Sequence, residues 1–219
     1  MHAWVVWLGC GAASYLLGSI PTGFLIARAK GIDIRTVGSG NIGATNVFRI
    51  VGKTWGIVTF VADALKGFVP SFVFPLLAPR WGVDPAGSWM GLMCMALAMV
   101  GHNWPLFLGF KGGKGVATAA GGLLGIVPKS LGVGLVVWTA VFVLTRYVSL
   151  ASICVAIAVP CSAWVFYAKE GLAVPIVLSV LGVLVVLRHH GNIRRLLNGA
   201  ELRFSFTRRQ REQKGTPGT

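Results

Sequence analysis

Between residues 4 and 187 the chain is a succession of apolar runs separated by short polar stretches. The runs cover residues 4–27, 55–77, 85–100, 116–127, 131–145, 148–167 and 172–187, and Asp63 and Lys66, both in the second, are their only charged side chains. A bilayer core about 30 Å thick requires roughly 20 helical residues, so this pattern predicts an all-α integral membrane protein of about seven transmembrane helices. Residues 116–127 are short for a span and rich in Gly and Ala. They cross only with help from neighbouring helices, and Pro128-Lys129-Ser130 predicts a turn between them and the next run. Charged residues are 12% of the chain, about half the roughly 25% of a soluble domain. A soluble fold is excluded.

Charge then sets the expected topology. The formal net charge is +14, which in a soluble protein would suggest nucleic acid. With seven spans and the N-terminus outside, sixteen of the twenty Lys+Arg residues fall on the cytoplasmic side, as the positive-inside rule demands. Six spans would strand the basic C-terminus outside. The charge is therefore read as topogenic, with membrane lipids as partners and no nucleic acid. The stretch before the first run lacks a basic n-region, so that run is expected to be retained as a span. Residues 1–199 form the expected membrane domain, and residues 200–219 a basic cytoplasmic tail. Cys10, Cys94, Cys154 and Cys161 all lie in apolar runs without C-x-x-C spacing, which assigns them to packing. No internal repeat is evident, and nothing calls for an obligate protein partner.

The polar residues gather after the first, third and seventh runs, which by parity share the cytoplasmic face. The first segment is GSGNIGATNVFR, residues 38–49. Gly38 and Gly40 permit tight turns, Ser39, Asn41, Thr45 and Asn46 offer short donors and acceptors, and Arg49 can fork onto a phosphate. A helix starting near Asn41 would put Thr45 and Arg49 on one face. The second is GHNWPLFLGFKGGKG, residues 101–115. There His102, Lys111 and Lys114, with Gly112, Gly113 and Gly115 before an apolar helix, suit an anion cradle. The third is RHHGNIRRLLNG, residues 188–199. On a continuing helix His189 and Asn192 share a face, as do Arg188 and Arg195. Each segment alone is also explained by a polar loop or a basic helix end. Together they predict a site for a phosphate-bearing substrate. Asp63 and Lys66, three residues apart, are expected to neutralise each other structurally.

Several chemistries are disfavoured. Asp33, Glu201 and Glu212 are the only carboxylates expected on the cytoplasmic side, too few for a magnesium cage, so no metal or cofactor is expected. The Walker A spacing is absent, and Val37 breaks a G-x-S-x-G elbow around Ser39. The H-x-x-x-x-D pair of soluble-type glycerolipid acyltransferases is absent too, because Phe107 and Arg194 stand five residues after His102 and His189.

The three strings resemble the three signature motifs of the bacterial acyl-phosphate:glycerol-3-phosphate acyltransferases, the membrane family called PlsY, and the run from Asp63 to Gly67 is similar to that family as well. The resemblance implies acyl transfer from acyl phosphate to the 1-hydroxyl of sn-glycerol 3-phosphate, in bacterial phospholipid biosynthesis at the inner membrane. It implies a cytoplasmic site in which Ser39, Arg49, Lys111, Lys114, His189 and Asn192 are catalytic. Gly38, Gly40, Asn41, Thr45, Asn46, His102, Gly112, Gly113, Gly115 and Arg188 would bind substrate. A transporter or channel for organic phosphates is the alternative, and it would need polar groups at mid-membrane.

Overall fold

The computed structural model describes residues 2–205, all helical or irregular. Eleven α-helices are described: α1 (Ala3–Ser19), α2 (Thr22–Ala29), α3 (Ala44–Ile50), α4 (Lys53–Phe68), α5 (Phe74–Leu77), α6 (Trp89–Asn103), α7 (Val116–Ile126), α8 (Pro128–Thr145), α9 (Val148–Phe166), α10 (Ala173–Arg188) and α11 (His190–Leu197). Among the described residues, five stretches are long and apolar enough to cross a membrane: Ala3–Ala29, Lys53–Trp81, Trp89–Leu108, Pro128–Thr145 and Val148–Phe166. The bent pair α10–α11 makes up to six. Residues 116–127 contain the separate helix α7, eleven residues long, or about 16 Å at 1.5 Å per residue. Val127 alone links it to α8, whose first residue is Pro128, where a missing N–H costs nothing.

The first run is broken within its length. Ile20 precedes Pro21 and is extended (ψ 112°), as the proline ring requires, which separates α1 from α2. At the break the Ile20 carbonyl accepts from the Thr22 amide at 3.0 Å and from Lys66 Nζ at 2.9 Å. Lys66 also pairs with Asp63 Oδ1 at 2.6 Å, both side chains being buried. The intramembrane ion pair therefore has a visible structural duty: the ammonium ties α4 to the backbone at the α1–α2 break and the carboxylate balances its charge. Past α4 the helix widens into a π-helical turn at Val69–Val73 around Pro70, where Ser71 Oγ donates to the Gly67 carbonyl at 2.8 Å.

Helix pairing runs α1 on α6, α4 on α7, α8 on α9 and α9 on α10. In lipid such contacts depend on close backbone approach rather than on apolar burial. A Cβ at Gly18 would strike the Ala98 carbonyl, and one at Gly101 the Tyr15 carbonyl, so both faces of the α1–α6 crossing require glycine. The main core cluster joins Leu92, Met95 and Met99 of α6 to Leu123 of α7, Val159 of α9 and Leu178 and Leu181 of α10. Val136, Val143 and Leu144 of α8 point outward, as lipid-facing residues do. All four cysteines are free; Cys10 and Cys94 pack in a common cluster, Cys154 is half-buried, and Cys161 is exposed rather than packed.

Candidate active site

The three polar segments meet at one cavity of about 190 Å³. Ser39, Asn41, Thr45, Asn46 and Arg49 line it from the first segment, His102, Lys114 and Gly115 from the second, and His189 and Asn192 from the third.

The loop before α3 is organised by Asn46, which is buried. Its Nδ2 donates to the carbonyls of Ile34, Val37 and Asn41 at 3.2, 3.1 and 3.0 Å, and its Oδ1 accepts from the Ser39 amide at 3.0 Å. Asn41 Oδ1 accepts from the Gly43 amide at 2.8 Å, which steadies the entry to α3. Gly38 and Gly40, with φ of +61° and +68°, supply left-handed turns and lie outside the cavity. Thr45 and Arg49, one turn apart on α3, both line it.

The second segment folds back under α6. The Gly113 amide donates to the His102 carbonyl at 3.0 Å, and a Cβ on Gly113 would overlap the His102 ring. His102 Nδ1 lies 3.8 Å from Asp63 Oδ1, and Asp63 itself lines the cavity. Lys111 is exposed and outside the lining; Lys114 is inside and donates to Asn192 Oδ1.

A 56° bend at His189 divides the third segment. His189 and Asn192 stay adjacent, the Asn192 amide donating to the His189 carbonyl at 2.8 Å. The two arginines part company. Arg188 turns back onto the glycine loop, its Nε and Nη2 reaching the Gly113 carbonyl at 3.1 and 2.8 Å and its Nη2 the Gly112 carbonyl at 3.2 Å. Arg195 instead donates through Nε to Glu201 Oε2 at 2.7 Å. Gly112, Gly113 and Arg188 thus form a latch beside the cavity rather than part of its wall. His189 Nδ1 sits 2.8 Å from the Val185 carbonyl. A carbonyl only accepts, so Nδ1 carries the hydrogen and Nε2 is left as an acceptor.

Glu201 was missed as a site residue because it stands in the segment read as a tail. Its Oε1 accepts from Ser149 Oγ and from Asn192 Nδ2, both at 2.7 Å. Residues 200–205 are packed on the helical body: Phe204 donates its amide to the Arg146 carbonyl at 2.8 Å, and its ring lies tilted against Phe48 and edge-on to Phe142. The rest of the predicted tail, residues 206–219, lies outside the described residues. Ser149 and Ser152 on α9 were also missed, being single serines in an apolar run.

The electrostatics follow from burial and these partners. Burial lowers Lys114 to about 8, with Arg195 and Arg188 pushing the same way and Glu201 opposing. Burial lowers Arg49 as well, with Glu201 again opposing and Arg195 assisting. Glu201 resists its own desolvation through the bonds from Ser149, Asn192 and Arg195, which hold its carboxyl below the usual range. The cavity is a cationic, hydrogen-bonding chamber of partly desolvated groups.

Against this chamber lies a second cavity of about 330 Å³, almost wholly apolar, between α6, α7, α8, α9 and α10. Phe60, Val116, Trp138 and Ser152 line both, so the two share a border.

Fold and site together define a polytopic helical membrane protein with an anion-receptive chamber bordering an apolar cleft. The family model for glycerol-3-phosphate acyltransferase matches residues 8–199, and the chain belongs to that family. It is 48% identical over 196 residues to a glycerol-3-phosphate acyltransferase of Geobacter sulfurreducens, covering 88% of this chain and 95% of the relative. It is 45% identical over 193 residues to one of Aquifex aeolicus, covering 87% and 95%. Two crystal structures of PlsY (YgiH), an integral membrane glycerol 3-phosphate acyltransferase, are similar to it. The glycerol 3-phosphate form has a TM-score of 0.82 at 42% identity, covering 91% of this chain and 96% of that one. The lysophosphatidic acid form has 0.79 at 41%, covering 91% and 95%.

Proposed function

We propose that this enzyme transfers an acyl chain from acyl phosphate to the 1-hydroxyl of sn-glycerol 3-phosphate, giving 1-acyl-sn-glycerol 3-phosphate and inorganic phosphate. The observation that carries this reading is the adjacency of a cationic chamber and an apolar cleft, which share Phe60, Val116, Trp138 and Ser152 as lining residues. A reaction between a phosphate-bearing solute and a phosphate-headed acyl chain needs both compartments to share one reacting centre. Relatives and structural neighbours named for glycerol 3-phosphate and lysophosphatidic acid support the acceptor and the product.

In this reading Arg49, Ser39 and Thr45 hold glycerol 3-phosphate, while Lys114 and the Gly115 turn at the start of α7 receive the donor phosphate. The hydroxyl oxygen attacks the acyl carbonyl carbon, and the carbonyl carbon to phosphate-oxygen bond breaks. The hydroxyl proton passes to the departing phosphate or to His189 Nε2, the ring nitrogen left as an acceptor. Acyl phosphate is a mixed anhydride, so positioning and charge stabilisation supply most of the catalysis. Seven spans, with an outside N-terminus and a cytoplasmic site in the bacterial inner membrane, complete the proposal, α7 being the short span among longer neighbours. The test is purified protein in detergent with palmitoyl phosphate, followed by phosphate release. Release that depends on glycerol 3-phosphate and yields the 1-acyl product is expected; its absence would reject the reaction.

A further inference from the structure

Two buried groups on the wall of the polar chamber take no part in the reaction as proposed. Asp63 on α4 and His102 on α6 both line it. His102 Nδ1 is fully buried and has no hydrogen-bond partner among the described residues, and Asp63 Oδ1 lies 3.8 Å from it. A carboxylate oxygen only accepts, so the nitrogen that faces it carries the ring hydrogen. A buried donor is costly to leave unpaired, and hydrogen bonds in such sites are often long until the site is loaded. The Asp63 carboxylate is fixed in its turn by Lys66 Nζ at 2.6 Å, itself anchored to the Ile20 carbonyl at 2.9 Å. The opposite edge of the imidazole, Nε2 with Cδ2 and Cε1, abuts Gly113 at the place where a side chain would stand. The Gly113 amide donates to the His102 carbonyl at 3.0 Å, and a Cβ on Gly112 would strike that same carbonyl. Arg188 also grips the Gly112 and Gly113 carbonyls, and its guanidinium lies over the Trp104 ring, 5.3 Å from the centroid. His102 and Arg188 together hold the glycine loop, and the next residue, Lys114, enters the chamber and donates to Asn192.

We propose that Asp63 is a positioning residue for the donor site: it accepts from His102 Nδ1, the oriented ring backs Gly113, and the loop so held directs Lys114 into the chamber. The proposal rests on the reading in which Lys114 and the Gly115 turn receive the donor phosphate. It gives Asp63 two separable duties. Balancing the charge of Lys66 is a matter of stability, whereas accepting from His102 is a matter of donor binding. Removing both charges together isolates the second duty. Asp63→Leu with Lys66→Met leaves neither a buried charge nor an acceptor for His102. Asp63→Asn with Lys66→Met also leaves no buried charge, but keeps a side-chain carbonyl oxygen that accepts. If the ion pair did nothing beyond tying helices together, the two double variants would behave alike.

The experiment measures KM for palmitoyl phosphate and for glycerol 3-phosphate with the purified full chain in detergent, since KM does not depend on the fraction of protein that is active. The Leu/Met variant is expected to raise the donor KM at least about tenfold, the loss that accompanies one displaced charge-assisted contact. The Asn/Met variant is expected to recover most of that loss, with the acceptor KM little changed in either. Equal donor KM in the two double variants, or an equal rise for both substrates, overturns the proposal. A second readout needs no turnover: 15N spectra of the imidazole nitrogens, with the His102 signals identified by their loss in His102→Phe. Nδ1 protonated in wild type and in the Asn/Met variant, and no longer held so in the Leu/Met variant, is expected. An Nδ1 without hydrogen in wild type, or the same signature in all three proteins, overturns the role of Asp63. No transfer from any acyl phosphate overturns the functional reading instead, and the spectra still decide whether Asp63 orients His102.

Discussion

Lys114 is the residue whose charge state ties the geometry of the site to a measurable pH dependence. It is half-buried and bonded to Asn192; desolvation, Arg188 and Arg195 lower it, Glu201 opposes them, and the balance puts it at about 8. Below that value the ammonium is present, as neutralising the proposed donor phosphate requires, and above it the charge is lost. Phosphate monoesters are fully ionised well above pH 6, so an alkaline limb in kcat/KM belongs to the protein. The expected profile is flat to about pH 7 and falls close to tenfold per pH unit beyond 8, leaving about a tenth of the activity at pH 9. Glu201→Gln removes the carboxylate that keeps Lys114 charged and shifts the limb to lower pH. Lys114→Arg, whose guanidinium stays ionised, moves it out of range. The linkage sign for stability is opposite. A lysine lowered from 10.5 to about 8 binds fewer protons when folded, so wild type gains stability relative to Lys114→Met as pH rises through that window, while activity falls. The assay is donor-dependent phosphate release from pH 6 to 9.5, corrected for spontaneous hydrolysis, alongside thermal unfolding in detergent. A flat profile to pH 9.5, or an unmoved limb in Glu201→Gln, would refute the electrostatic account of Lys114.

With Arg49 holding the acceptor phosphate as proposed, Arg49→Ala would remove a bidentate contact worth about 1.5–3 kcal/mol, so steady-state kinetics are expected to show the KM for glycerol 3-phosphate raised about tenfold to a hundredfold. Gly113→Ala sets a methyl into the His102 ring and displaces the loop carrying Lys114; saturation with donor is expected to be lost before saturation with acceptor, and unchanged donor kinetics would contradict the packing. Asp63→Ala leaves Lys66 buried and unpaired at a cost of about 3–5 kcal/mol, read as a lowered unfolding temperature in detergent, with much of it restored by adding Lys66→Met.

The sequence exposes the parts of this protein that alternate between apolar and polar. The separation of α7 from α8 at Pro128, the Asp63–Lys66 pair and the gathering of three polar segments are visible because proline and charge are rare in such runs. Features that leave hydropathy unchanged are hidden. Pro21 sits in a run that passes as one span, although a proline following an apolar residue is the signal that would have found the break. The bend at His189 interrupts no pattern, yet it sends Arg188 to the Gly112 and Gly113 carbonyls and Arg195 to Glu201, where a straight helix would have aligned them. Glu201 lies in a basic, non-periodic stretch, and only the fold of residues 200–205 onto α3, α8 and α9 brings it to Ser149, Asn192 and Arg195.

The central claim is that the donor's own phosphate is recognised by Lys114 and backbone amides, with no metal required. Both carboxylates lining the chamber are paired with protein cations, Asp63 with Lys66 and Glu201 with Arg195, so among the described residues the chamber holds no uncommitted carboxylate for magnesium. A thioester has no phosphate on its reacting carbonyl, and coenzyme A carries its phosphates at the far end of a long arm. The decisive measurement compares palmitoyl phosphate with palmitoyl-CoA as donors to glycerol 3-phosphate, each in EDTA and in added magnesium. Transfer from palmitoyl phosphate that persists in EDTA, with negligible transfer from the CoA thioester, is the expected result. Full activity with palmitoyl-CoA, or abolition by EDTA that magnesium restores, would contradict it.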